Sequence, residues 1–133
     1  LLGKDGYTHL SWGITQTGLD IFAEHVSNHA SGLVKIAVVD TGVYSSHPFL
    51  QGHISNTRYD LGVIGGNAED VHGHGTFVTG IIVDAMQGLN FSIIPVRVFD
   101  VNGDTSAWIV ALGIEIAADA GADIINVSIS ANR

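Results

Sequence analysis

Apolar residues along the chain fall into blocks whose spacing switches between a helical and a strand-like period. Leu19, Phe22, Ala23 and Val26 stand at i, i+3, i+4 and i+7, which predicts one face of a helix over about 17–29, ended by Ser31-Gly32. Val34 to Val39 is then a nearly continuous β-branched run that stops at Asp40-Thr41-Gly42. That pattern predicts a central strand covered on both faces, with a carboxylate at its carboxyl end. A weaker strand is expected over 53–59. After a Gly-rich loop, His74 opens a segment in which Phe77, Val78, Ile81, Ile82 and Ala85 read as one helical face, and Gly88 stands where a helix would stop.

The second half repeats the alternation. Residues 92–99 read as a strand in which Pro95 lacks a ladder donor, so an edge position or a local irregularity is expected there. A helix over 105–120 is apolar around most of its circumference, with Glu115 and Asp119 as its charged stripe and Gly121 as its stop. Such a helix needs cover on two sides. Residues 123–129 close the pattern as a strand in which Asn126 and Ser128 alternate with Ile125, Val127 and Ile129. Helices alternating with strands predict an α/β fold, a parallel sheet with helices on both faces. Neither a repeat nor a linker divides residues 1–133, so one unit is expected.

Composition narrows the function classes. The chain has 133 residues, 46% hydrophobic and 14% charged, a balance that supports a packed core and excludes disorder. Five Lys plus Arg against 13 Asp plus Glu give a formal charge of -8, and no basic cluster could neutralise a run of phosphates, which argues against nucleic acid as a partner. Without cysteine there is no disulfide framework, thiolate zinc site or thiol redox chemistry. The longest apolar run, inside 108–118, is too short to cross a bilayer, and no basic segment leads into an apolar one at the start; neither a membrane span nor a signal peptide is expected. A chain opening on Leu1 reads as a mature form or an excised piece.

In open α/β sheets the working groups collect beyond the carboxyl ends of the strands. Asp40 is expected there, and His74 at the start of the following helix. A carboxylate that accepts a hydrogen bond from one imidazole nitrogen fixes the tautomer and leaves the other nitrogen free as a general base. Other readings compete. Asp40-Thr41-Gly42 alone could be a simple turn or the signature of an aspartic protease, but the helical periodicities at 77–85 and 108–120 contradict that all-β fold. Asp70, His72 and His74 form a candidate metal group; however, residues spaced by two point the same way only in a strand, and Gly73 and Gly75 disfavour one. Gly73, Gly75 and Gly80 lack the spacing of a dinucleotide loop.

Four blocks appear in a suggestive order: Ile36-Ala-Val-Val-Asp40-Thr-Gly-Val43, His72-Gly-His74-Gly-Thr-Phe-Val-Thr-Gly80, Ile94-Pro-Val-Arg-Val98 and Asp123-Ile-Ile-Asn-Val-Ser-Ile129. Through them the chain resembles the subtilisin-like serine proteases, the subtilases, from about residue 12 to residue 130. The resemblance implies a three-layer α/β fold, incomplete in this chain, and a triad in the chain order Asp, His, Ser. Asp40 would orient the histidine and His74 would serve as general base and acid. Ser128, Ile129 and Ser130 would line up with the strand that pairs with a peptide or protein substrate, and Gly103, Asp104 and Thr105 with the loop across the cleft.

The family's nucleophilic serine, in a Gly-Thr-Ser-Met-Ala-like block, and its oxyanion asparagine come later than Arg133. The chain alone is therefore expected to be inert, and it reads either as a truncated fragment or, favoured by the apolar edge at Ile129, as part of a nicked protease completed by its remainder as a second chain. A secreted or cell-envelope location is implied. No cofactor is required; a calcium site common in the family is disfavoured because Phe49 replaces a ligating aspartate. Phe77, Thr79 and Ser130 also depart from the usual histidine, alanine and glycine. From a different class, the alternative is a noncatalytic pseudoprotease or interaction domain.

Overall fold

A computed structural model describes residues 12–19, 21 and 32–130. The elements are α1 (Trp12–Thr17), β1 (Val34–Asp40), β2 (Tyr59–Asp60), α2 (His74–Ala85), β3 (Phe91–Arg97), α3 (Ala107–Asp119) and β4 (Ile124–Val127). The helix expected over 17–29 lies largely outside the described residues.

All four strands are parallel, in the order β2-β3-β1-β4. Alternate residues of the central strands feed two cores. Ile36 and Val38 of β1 join Ile93 of β3 and Val83 of α2 on one face. Ala37 and Val39 join Ile94 and Val96 of β3 and Ala117 of α3 on the other. The result is the expected three-layer α/β architecture, and the unbroken apolar run of β1 is the signature of a strand buried on both faces. On the α3 side the layers approach closely at Gly113, where a β-carbon would come within 2.6 Å of Val98 Cγ1. The helix begins where the Ser106 hydroxyl accepts the Ile109 N–H.

Three details differ from the sequence reading. The strand expected over 53–59 contracts to Tyr59–Asp60 plus one bridge between Ile54 and Ile93. The strand with Pro95 is internal, not at the edge. Ile93 exchanges both of its backbone hydrogen bonds with His53 and Ser55, and the Arg97 carbonyl accepts from Leu61, so odd-numbered residues of β3 direct their backbone groups toward β2. Pro95 therefore turns its donorless nitrogen into the gap between the Ile54 bridge and β2, where no ladder bond is lost.

The third difference is the face that α2 buries. Gly75, Thr79 and Val83 line it, flanked by Val78, Ile82 and Met86, while Phe77 and Ile81 are 68% and 52% exposed. The expected face shares Val78 and Ile82 with the buried one, which extends over Gly75, Thr79 and Val83 instead of Phe77 and Ile81.

Candidate active site

The carboxyl end of β1 delivers Asp40, and the amino end of α2 delivers His74, to the same point. His74 Nδ1 lies 2.8 Å from Asp40 Oδ1. The Asp40 carboxylate is fully buried, whereas the His74 side chain is 46% exposed. Asp40 Oδ1 also accepts the Thr41 N–H at 2.7 Å. Among the described residues the imidazole makes no other hydrogen bond, and nearly half of the side chain is open to solvent. An imidazole held by a buried carboxylate, with one nitrogen open to solvent, is the arrangement a general base requires.

Close approach of α2 to β1 depends on Gly75. A β-carbon there would meet the Gly42 carbonyl oxygen at 2.1 Å and Asp40 Cβ at 3.1 Å. The His-Gly sequence thus has a steric reason: the residue after the imidazole passes directly over the strand end that carries the carboxylate.

Asp70 stands behind the pair. Its Oδ1 accepts the Thr41 hydroxyl at 2.9 Å and the N–H groups of His72 and Gly73 at 2.9 and 2.8 Å. Its Oδ2 accepts the Thr76 N–H at 2.9 Å and the Thr76 hydroxyl at 2.5 Å. Burial pushes this carboxyl up, but the Thr76 hydroxyl and the N–H groups of Gly73, Thr76 and His72 outweigh it, and the net shift is below the ordinary value of 3.8. The sequence pattern offers Asp70 only as a metal candidate and gives Thr41 and Thr76 no role; an aspartate ahead of a Gly-rich stretch, able to accept the N–H groups two and three residues on, is the signal that points to a turn here.

The loop preceding the site has its own buried scaffold. Asp60 accepts the N–H groups of Gly62, Val63 and Ala68, and Arg97 Nη1 lies 3.9 Å from its Oδ2. Arg97 also donates to the carbonyls of Phe99 and Glu69, and Glu69 in turn accepts from Arg58 and from the Ser45 hydroxyl.

Ser128, Ile129 and Ser130 follow β4 beside the carboxyl end of β1, and Gly103, Asp104 and Thr105 precede α3. The register sets Val127 beside Val39, so Ser128 follows at the level of Asp40. Ser128 and Ser130 are exposed, Ile129 packs against the α3-side core, and the Ser128 hydroxyl accepts from Asn126 Nδ2 at 2.9 Å. A β-carbon on Gly103 would sit 3.7 Å from the His72 ring. Asp104 and Thr105 follow in a turn organised by Asp100, whose carboxyl is held below its ordinary range by the Asp104 and Asn102 N–H groups. Thr105 donates its hydroxyl to the Val98 carbonyl at 2.6 Å.

Metal ligation fits these residues poorly. Both Asp70 oxygens face hydrogen-bond donors, His74 Nδ1 faces Asp40, and no group of three or more His, Cys, Asp or Glu among the described residues is arranged to hold an ion. Phe49, at the position of the family's calcium-ligating aspartate, packs against the α2-side core and offers no side-chain oxygen.

Comparison with known proteins agrees with this architecture. The family model described as the Subtilase family matches residues 31–133. A cell wall-associated protease of Bacillus subtilis (strain 168) is 47% identical over 106 residues, covering 71% of this chain and 12% of that protein. Thermitase of Thermoactinomyces vulgaris is 38% identical over 103 residues, covering 71% of this chain and 37% of the relative. A solved lanthipeptide protease superposes with a TM-score of 0.62 at 22% identity, covering 90% of this chain and 39% of the other, and shares the fold. The chain spans well under half the length of each.

Proposed function

The chain belongs to the subtilase family, and from that premise we propose that it supplies the Asp40 and His74 of an Asp-His-Ser triad to a serine endopeptidase acting on peptide or protein substrates. The observation that carries this reading is the 2.8 Å contact between a fully buried carboxylate and a half-exposed imidazole at the carboxyl end of a parallel sheet. In the proposed reaction His74 takes the proton of a serine hydroxyl as that oxygen attacks the scissile carbonyl. Asp40 holds the imidazole in the tautomer with hydrogen on Nδ1 and stabilises its charged form; His74 then passes the proton to the leaving amine.

The serine comes, in this reading, from the remainder of the same protease as a second part docked on this one, and the 133 residues alone are inactive. The exposed Ile124 and Val127 on β4, and Trp108 and Ile114 on α3, support such a docking face. Substrate would add as a strand along Ser128, Ile129 and Ser130, with Gly103, Asp104 and Thr105 forming the opposite wall. The name of the Bacillus subtilis relative, a cell wall-associated protease, supports a secreted or cell-envelope location.

Labelling the full-length protein with a fluorophosphonate tests the assignment. Expected is one labelled serine outside residues 1–133, with labelling lost on His74→Ala. A folded full-length protein that takes no label and cleaves no peptide overturns the protease reading in favour of a noncatalytic subtilase-like domain.

A further inference from the structure

We propose that Asp70 is a positioning residue for the Asp40 and His74 pair: its carboxylate locks the carboxyl end of β1 to the first turn of α2 through the hydroxyls of Thr41 and Thr76. The inference rests on the protease reading for its kinetic consequences, but not for its geometry.

Two threonines form a reciprocal strap. Thr41, on the β1 side, donates its hydroxyl to Asp70 Oδ1 and accepts the N–H of Gly75 in α2 at 2.9 Å. Thr76, in α2, donates its hydroxyl to Asp70 Oδ2 and accepts the N–H of Tyr44 on the β1 side at 3.0 Å. Each hydroxyl therefore points its proton at Asp70 and its lone pair at the opposite element. Thr41 lies next to Asp40 and donates its own N–H to the Asp40 carboxylate; Gly75 lies next to His74. One carboxylate thus fixes both neighbours of the reacting pair.

A carboxylate is required because every group around it is a donor. Three donors meet Oδ1 and two meet Oδ2. An asparagine would turn an NH2 toward one threonine hydroxyl and the backbone N–H beside it, so that donors face donors and the hydroxyl proton loses its acceptor. Gly73, at φ 100, has no side chain to cap α2, so the first turn has no substitute for Asp70. Catalytic groups displaced by a fraction of an ångström lose turnover more than substrate affinity.

The test uses the full-length protein with Asp70→Asn, Thr41→Val and Thr76→Val, and Thr41→Ser and Thr76→Ser as rescues that keep the hydroxyls. Asp123→Asn is the control: Asp123 also accepts a backbone N–H, that of Lys35, but at the far end of β1. Expected for Asp70→Asn and the valine variants is a fall in kcat of roughly tenfold to a hundredfold with KM nearly unchanged. The downfield Nδ1 proton resonance of His74 should shift or broaden in the same variants, and both readouts should recover in the serine variants. If Asp70→Asn does not fold, the valine and serine pairs decide.

The proposal is overturned if the strap variants lose thermal stability as Asp123→Asn does while kcat and the His74 resonance stay as in the wild type. Should the wild-type protein cleave no peptide, the protease reading fails separately, and the His74 resonance still judges the role of Asp70.

Discussion

Asp40 is fully buried and His74 is nearly half exposed, yet the two meet at 2.8 Å, so the carboxylate has exchanged its water for a partner that remains in contact with solvent. Asp40→Asn should leave the fold intact, because the amide can still face the Thr41 N–H, but it presents an NH2 or a weaker acceptor to the imidazole. In the full-length protein kcat should fall about ten-thousandfold, a magnitude carried over from Ser-His-Asp triads in general. Peptide hydrolysis measured alongside circular dichroism checks this; an unchanged kcat in a folded variant would remove Asp40 from the mechanism.

Two glycines of α2, Gly75 on its core face and Gly80 away from it, should answer oppositely to alanine. Gly80 has open space where a β-carbon would go, so Gly80→Ala should stabilise the helix by up to about 1 kcal/mol. Gly75→Ala gains the same propensity but drives a methyl group onto the Gly42 carbonyl at 2.1 Å. Overpacking of that kind costs about 1–3 kcal/mol, and here the relief must come from moving α2 away from β1. Urea unfolding of both variants should show the opposite signs, and Gly75→Ala alone should also lose peptidase activity.

The sequence already carried the parallel α/β layering, because β1 lacks any polar alternation and a glycine follows within three residues of the end of each helix. It also brought Asp40 and His74 forward, since both stand at element ends where backbone geometry aims side chains into one cleft. What it did not carry depends on hydrogen-bond direction. Pro95 reads equally as an edge residue or a local irregularity until the strand parity shows that its nitrogen faces a gap in the pairing. Asp70 reads as a metal candidate until its five donors are in place. Spacing reports which residues share a face; it is silent on which lone pair meets which proton.

The face of α2 gives the same contrast an energetic test. Val83 is buried and Phe77 projects outward, although Phe77 is the larger apolar group. Val83→Ala should cost about 2 kcal/mol through lost burial and the cavity left behind. Phe77→Ser should change stability by less than about 0.5 kcal/mol. Thermal unfolding that ranks Phe77→Ser above Val83→Ala would mean that α2 is rotated from the orientation described above, or that Phe77 is covered by another part of the full-length protein.

As pH falls, the Asp70 carboxyl of the unfolded chain takes up its proton before that of the folded chain does, so acid removes the stability that the strap contributes, and the sign follows from the direction of the shift. The folded carboxyl lies below its ordinary value of 3.8, where burial is outweighed by the donors from Thr76, Gly73 and His72. The folded state therefore binds fewer protons than the unfolded state as pH falls through that region, and the stabilisation, fully present above 3.8, disappears as pH drops through the lower folded value. Asp100 is depressed as well, so acid unfolding of the wild type alone does not isolate Asp70. The difference between wild type and Asp70→Asn does. Urea unfolding between roughly pH 6 and pH 2 should show a stability gap that is constant at the upper end and shrinks toward the lower end. A gap that stays constant throughout would mean that Asp70 has no shifted titration, and that its five donors contribute through packing alone.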